Sequence, residues 1–205
     1  MLEKIKTVSL FSSAGIGELL VHNKNLDVIV ANELIKQRAD CYSFFYPETN
    51  IICGDITNNT IKSQIIKIAN DESAKMLIAT PPCQGLSTLG KNKVQIQYES
   101  DRRNFLVLEV LDIIDACDFD YILIENVPKF IEMYFPYDNQ YLKLEEILRR
   151  KYSDTYEIDI RVLNAKDYGV PQSRPRAIIK IYKKKLRWGW PVEEREITLR
   201  EAIGD

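Results

Sequence analysis

Residues 79–90 read ATPPCQGLSTLG, and they set a thiol where packing is a poor reason for one. Prolines fix φ and cannot feed a helix or a central strand, so Pro81 and Pro82 hold Cys83 on a stiff, irregular backbone. In LFSSAGIGE (10–18) small residues and two glycines let a ligand approach the backbone, or simply close a strand tightly onto a helix. Asn32 and Glu33 end an apolar run, where a carboxylate can accept hydrogen bonds from ribose hydroxyls or stand as a solvated first-turn glutamate favoured by a helix dipole. Asp55, in GDIT (54–57), either accepts from an adenine amino group or caps the helix that starts near Asn58. In QSRPR (172–176), Arg174 and Arg176 share a face of an extended segment. Their guanidinium groups can donate to a carbonyl oxygen or a phosphate, or form exposed salt bridges.

The elements that must position these residues follow from the patterning. Four apolar runs rich in β-branched residues, TVSLF (7–11), DVIVA (27–31), KMLIA (75–79) and YILIE (121–125), read as buried parallel strands. Between them, ELIKQRADCYSFF (33–45), TIKSQIIKIA (60–69) and NFLVLEVLDIIDA (104–116) carry apolar residues at helical spacing. The alternation predicts an α/β fold with a doubly wound, mostly parallel sheet, whose ligand sits at the carboxyl ends of the strands. YEIDIRVLN (156–164) and AIIKIY (177–182) read as a C-terminal antiparallel hairpin. One domain is expected over 1–185, and 186–205 differ from it in composition.

The chain of 205 residues, 45% apolar, can bury one substantial core. A formal charge of −2 excludes a wholly basic nucleic-acid binder but leaves room for a basic face. Residues 149–190 hold twelve Lys or Arg against four Asp or Glu, which fits a DNA-facing edge or a solubilising charge run. The four cysteines, at 41, 53, 83 and 117, form no CxxC pair, so neither a zinc site nor a disulfide framework is expected. No apolar run reaches the length of a membrane span. The expected setting is a reducing cytoplasm.

Taken in order, LFSSAGIG, NE, GDI, PPCQ, ENV and QSRPR resemble the motifs of the C5-cytosine methyltransferase family, over residues 7 to about 182. The resemblance implies a Rossmann-like fold and S-adenosyl-L-methionine as cofactor, with S-adenosyl-L-homocysteine as product. It assigns the cofactor pocket to Phe11, Ser12, Gly15, Ile16, Gly17, Glu33, Leu34, Asp55, Ile56, Pro82 and Leu106. Three positions depart from the family: the acidic residue before LF is Ser9, the first loop glycine is Ser13, and one paired glycine is Ile16. These departures bear on cofactor affinity.

The chemistry implied is methyl transfer to C5 of a flipped-out cytosine. C5 is a feeble nucleophile until a thiolate adds at C6, which is covalent catalysis by Cys83. Glu125, expected to be buried at the end of YILIE, serves as an acid at N3 or is a structural carboxylate. Arg176 is the donor to O2, with Arg174 beside it. GLSTLGKNKVQIQYESDRRN (85–104) resembles the mobile loop that closes over DNA, with Gln84, Ser87, Lys91 and Arg103 as DNA contacts.

Residues 186–205, which end in TLREAIGD, resemble the start of a connection to a target recognition region, so a second polypeptide carrying that region is a candidate partner beside double-stranded DNA. Restriction-modification is the setting implied. A tRNA cytosine-5 methyltransferase and a noncatalytic cofactor-binding module are the alternatives.

Overall fold

The structure is a computed structural model that describes residues 4–19, 25–82 and 102–204. The chain forms two compact units, residues 1–124 and 125–205. In the first, strands β1 (Ile5–Leu10), β2 (Leu26–Glu33), β3 (Asn50–Cys53), β4 (Met76–Ala79) and β5 (Tyr121–Asn126, whose last residues open the second unit) run parallel in the order β3-β2-β1-β4-β5. Helices α1 (Lys36–Phe45), α2 (Asn59–Asp71) and α3 (Leu106–Ala116) connect them. The order reverses direction between β1 and β4, and that switch point is where a doubly wound sheet opens a crevice at its strand ends.

The apolar runs read from the sequence are the buried strands. Val8, Leu10, Val28, Val30, Leu77, Ala79, Ile122 and Ile124 are all buried, as expected of strands covered on both faces. Ile65 of α2 and Val110, Ile113 and Ile114 of α3 complete this core. Lys62 of α2 bridges to Glu109 and Asp112 of α3. Asn58 caps α2 by accepting the Thr60 N–H at 2.8 Å, so the cap is Asn58 itself and not Asp55.

Two boundaries differ from expectation. The second strand extends through Glu33, and α1 begins at Lys36 rather than Glu33, because the Glu33 carboxylate takes the Ile35 N–H at 2.9 Å and holds Ile35 extended as the N-cap. The β3 strand was not expected: NIIC buries only Ile52 and is exposed at both ends, so it lacks the continuous apolar run of a buried strand.

In the second unit, β8 (Tyr156–Asn164) and β9 (Pro175–Lys183) pair antiparallel, with Ile160 opposite Ile179 and Leu163 opposite Arg176. The expected hairpin is present. A second hairpin, β6 (Tyr134–Tyr137) with β7 (Gln140–Lys143), and helix α4 (Leu144–Tyr152) were not anticipated. The hairpin turns on Asp138 and Asn139, both at positive φ (48° and 61°), the backbone that a two-residue turn matched to strand twist requires. Leu144, Ile147 and Leu148 bury one face of α4. A short helix, α5 (Leu199–Ile203), is capped by Thr198 and Glu201.

The segment after β9 is fastened to its own hairpin. Lys180 is buried, and its Nζ donates to the carbonyls of Trp188 (2.6 Å) and Gly189 (3.0 Å) while lying 3.9 Å from the centroid of the Trp190 ring. Trp190 in turn donates its indole N–H to Asp159, and Arg161 covers the ring at 4.7 Å. Burial pulls the Lys180 pKa below its ordinary value. Removing the ring takes from a desolvated ammonium the nearest of its three aromatic partners, leaving Trp188 at 5.2 Å and Tyr182 at 5.9 Å. Trp190→Ala is therefore expected to lower stability by about 2 kcal/mol, read from the urea midpoint, and Lys180→Met by less, since an apolar side chain of similar length removes the buried charge itself. Equal midpoints for wild type and Trp190→Ala would show that this fastening stabilises nothing.

Candidate active site

The site is built at the carboxyl ends of β1, β2 and β4. Beyond β1 the chain turns through Phe11, Ser13 and Gly15 at φ of 60°, 51° and 77°. Two of these are not glycine and carry a left-handed backbone at a cost of roughly 1–2 kcal/mol each, so the surroundings must hold them. The Glu33 carboxylate does part of that: it is 5% exposed and accepts from Ser13 N–H at 2.9 Å and Ile35 N–H at 2.9 Å. It is therefore not the solvated glutamate allowed by the sequence. Asn32 holds the other side, donating to the carbonyls of Ile52 (2.9 Å) and Gly54 (3.1 Å), while its own carbonyl takes the Ser12 N–H at 3.0 Å.

Gly15 is required twice over. Its φ is 77°, and a Cβ there would stand 2.3 Å from Tyr46 Cε2, whose hydroxyl donates to the Gly15 carbonyl at 2.9 Å. Gly54 is needed for space alone, since a Cβ would meet Ile61 Cδ1 at 2.7 Å.

The remaining expected pocket residues divide by exposure. Ile16 (72%) and Leu34 (62%) present apolar surface to solvent, Gly17 has open space about its Cα, and Phe11 and Leu106 are half-buried. Ser12 is buried with its hydroxyl turned inward to Ser9, and Ile56 is buried in the core, so neither side chain is open to solvent. Asp55 is exposed; its Oδ1 accepts from Thr57 N–H (2.9 Å) and hydroxyl (2.8 Å), leaving Oδ2 without a partner among the described residues.

At the end of β4, Thr80 donates its N–H to the Leu10 carbonyl (3.3 Å) and its hydroxyl to the Phe11 carbonyl (3.2 Å). Pro81 and Pro82 thus leave the sheet beside the β1 loop. Cys83, Gln84, Ser87 and Lys91 lie outside the described residues. Arg103 is exposed on a 3₁₀ turn, Arg102–Phe105, so the end of the expected loop is ordered as a helical turn leading into α3.

In the second unit the structure brings ENV and QSRPR together. Glu125 Oε1 and Arg176 Nε are 2.7 Å apart, with side chains 30% and 24% exposed. The expectation that Glu125 is buried is thus corrected: it sits at a strand end, open on one side and ion-paired. Arg176 Nη1 also donates to the Pro175 carbonyl at 2.8 Å. Glu125 Oε2 and Arg176 Nη2 have no partner among the described residues. Arg174 does not join them. Its side chain is exposed, and among the described residues only its backbone is engaged, with the N–H on Asn164 Oδ1 at 2.7 Å and the carbonyl on Ala165 N–H at 3.2 Å.

One buried group was missed altogether. Glu18, directly after Gly17, is 4% exposed and accepts the hydroxyls of Ser9 and Tyr42. The signal was an acidic residue following a small-residue loop, together with Tyr42 three positions after Ala39 on the buried face of α1. Among the described residues no cluster of side chains could hold a metal ion, and no helix is long and apolar enough to cross a membrane.

Gly15→Ala is expected to cost about 2 kcal/mol or more, the left-handed penalty plus displacement of the Tyr46 ring. A melting temperature unchanged from wild type would show the loop to be looser than its hydrogen bonds imply.

The Type II methyltransferase M1.HgaI of Avibacterium volantium is 41% identical over 205 residues, covering 100% of this chain and 57% of its own length. The Type II methyltransferase M.AquIA of a Picosynechococcus species is 32% identical over 180 residues, 85% of this chain and 70% of the relative. A crystal structure from E. coli, described as a prophage-encoded DNA modification methyltransferase, is 25% identical with a TM-score of 0.74 over 98% of this chain and 54% of that one. The chain spans little more than half the length of the first relative and of the solved structure. The family described as C-5 cytosine-specific DNA methylase matches residues 5–203, nearly the whole chain and all the motifs at the strand ends. The chain belongs to the C-5 cytosine-specific DNA methylase family.

Proposed function

We propose that this chain is the catalytic part of a DNA (cytosine-5) methyltransferase of the restriction-modification type, using S-adenosyl-L-methionine and acting through a covalent adduct of Cys83. The observation that carries the reading is the Glu125–Arg176 pair: two motifs remote in sequence meet at 2.7 Å with one carboxylate oxygen and one guanidinium nitrogen left for a ligand.

The donor set fits the cofactor. Each Glu33 oxygen accepts one backbone N–H and keeps a lone pair for a ribose hydroxyl. Asp55 Oδ2 is available to an adenine amino group, and Leu34 and Ile16 offer apolar surface for the adenine ring. When bound, S-adenosyl-L-methionine supplies a methyl group on a cationic sulfur.

The chain's own residues do the rest. The Cys83 thiolate adds to C6 of a cytosine lifted from the duplex. The charge that develops on the ring is met at N3 by a hydrogen bond shared with Glu125, and at O2 by donation from Arg176. Their mutual ion pair orients both groups before the base arrives. After C5 is methylated, loss of the C5 proton to a base expels the thiolate and restores the aromatic ring. Arg174 and Arg103, both exposed, are suited to phosphate contacts, as are Gln84, Ser87 and Lys91. Residues 1–185 form the catalytic domain, and 186–205 begin the connection to a recognition region, in the same chain or in a second polypeptide.

Methyl transfer from labelled S-adenosyl-L-methionine to DNA and to tRNA, with this chain alone and with the uncovered part of its longer relatives supplied in trans, tests the reading. Transfer to DNA is expected on completion, and Cys83→Ser is expected to abolish the adduct and reduce turnover by about a thousandfold or more. Wild-type turnover by Cys83→Ser would remove the nucleophile assignment, and transfer to tRNA alone would remove DNA as the substrate. Glu33→Ala is expected to weaken cofactor binding about tenfold or more, because it removes an acceptor and leaves the Ser13 N–H unpaired. An unchanged dissociation constant by calorimetry would retract the ribose assignment.

A further inference from the structure

Methyl transfer leaves one buried carboxylate idle, and it lies beside the strained loop. Glu18 bridges two elements: Oε1 accepts the hydroxyl of Ser9 on β1, and Oε2 accepts the hydroxyl of Tyr42 on α1. Ser12 joins the cluster with its Oγ 2.8 Å from Ser9 Oγ and 3.1 Å from the Ser9 carbonyl. Because Ser9 gives its proton to the carboxylate, its oxygen is an acceptor for Ser12. Burying a carboxylate is costly unless hydrogen bonds replace water, and charge-assisted O–H donors are the strong kind. Burial and the Glu18 charge both raise the Tyr42 pKa, so the phenol stays a donor.

The cluster brackets the loop. Ser9 stands before it, Ser12 within it, and Glu18 after it, while the intervening Phe11, Ser13 and Gly15 all have positive φ. Such backbone persists only where the surroundings over-determine it. Glu33 and Asn32 anchor the loop at Ser12 and Ser13; Glu18 closes its far end.

We propose that Glu18 is a positioning residue of the cofactor loop, its carboxylate bridging Ser9 and Tyr42 so that residues 11–17 keep the left-handed backbone a ligand meets. This rests on the reading of that loop as the S-adenosyl-L-methionine site.

The test is calorimetric binding of S-adenosyl-L-methionine to the whole chain, with melting temperature measured in parallel. Glu18→Gln is expected to bind about tenfold more weakly. Ser9→Asp combined with Glu18→Gln is expected to recover most of that loss: the new amide can donate to a carboxylate at position 9 and still accept the Tyr42 hydroxyl. Ile113→Val, in the core, is expected to lower the melting temperature without changing affinity. Should Glu18→Gln not fold, Tyr42→Phe removes one bridge and is expected to weaken binding about threefold or more. A wild-type chain that binds no cofactor overturns the cofactor reading and this proposal together. Wild-type binding with undiminished affinity in Glu18→Gln, or in Tyr42→Phe where that stands in, overturns this proposal alone. So does a loss that merely tracks melting temperature across all variants and is not rescued by the double substitution.

Discussion

A carboxylate at the end of β2 sets the terms for the first unit. Glu33 is buried, and a buried carboxylate must collect donors; the donors it collects are backbone N–H groups on either side of the crevice, Ser13 in the β1 loop and Ile35 ahead of α1. Its neighbour Asn32, pointing to the other face of the strand, does the complementary work by donating to the β3 carbonyl of Ile52 and to that of Gly54. Two consecutive residues thus fix three segments: the glycine-bearing loop, the start of α1, and the turn carrying Asp55. Because the side chains alternate, a slip of one residue in β2 would exchange these partners and leave both polar groups buried and unpaired.

How much of this is legible in the sequence depends on the length of the signal. The long apolar strands and the amphipathic helices α2 and α3 are legible, since a run such as YILIE suits a buried strand and a spacing such as Val107, Val110, Leu111, Ile114 suits one face of a helix. β3 is illegible because NIIC is exposed at both ends and buries only Ile52, whereas β4, equally short, is apolar throughout. The β6–β7 hairpin and α4 carry fainter signals, Asp138-Asn139 for a two-residue turn and Leu144, Ile147, Leu148 for a helix face. Both lie in a stretch rich in tyrosine and charge, where neither period stands out.

The site is legible as a set of residue types but not as a set of contacts. ENV and QSRPR stand out, yet nothing in one dimension says that Arg176 rather than Arg174 reaches Glu125. That choice is made by the antiparallel register. Arg176 lies opposite Leu163, inside the ladder, whereas Arg174 precedes the strand and spends its backbone on Asn164 and Ala165. Two arginines with the same chemistry are thereby given different surroundings, one half-buried and paired, the other exposed to solvent. Glu18 escapes for a related reason: its partners, Ser9 and Tyr42, are nine and twenty-four residues away, and no motif joins them.

Backbone geometry likewise fixes residues 80–82, which lead toward the proposed nucleophile. Cys83 follows two prolines, which cannot donate backbone hydrogen bonds, so Thr80 is the last residue before them that can tie this segment to the sheet by its N–H. It does so through Leu10 and, by its hydroxyl, through Phe11. Phe11 is also where the left-handed course of the β1 loop begins. A shift of the Phe11 carbonyl would release Thr80, and a shift of Thr80 would remove one of the restraints on that strained backbone. The loop proposed to meet the cofactor and the segment that leads toward Cys83 therefore share an anchor. Strain held by Glu33, Glu18 and Tyr46 on one side reaches the other through the two hydrogen bonds of Thr80.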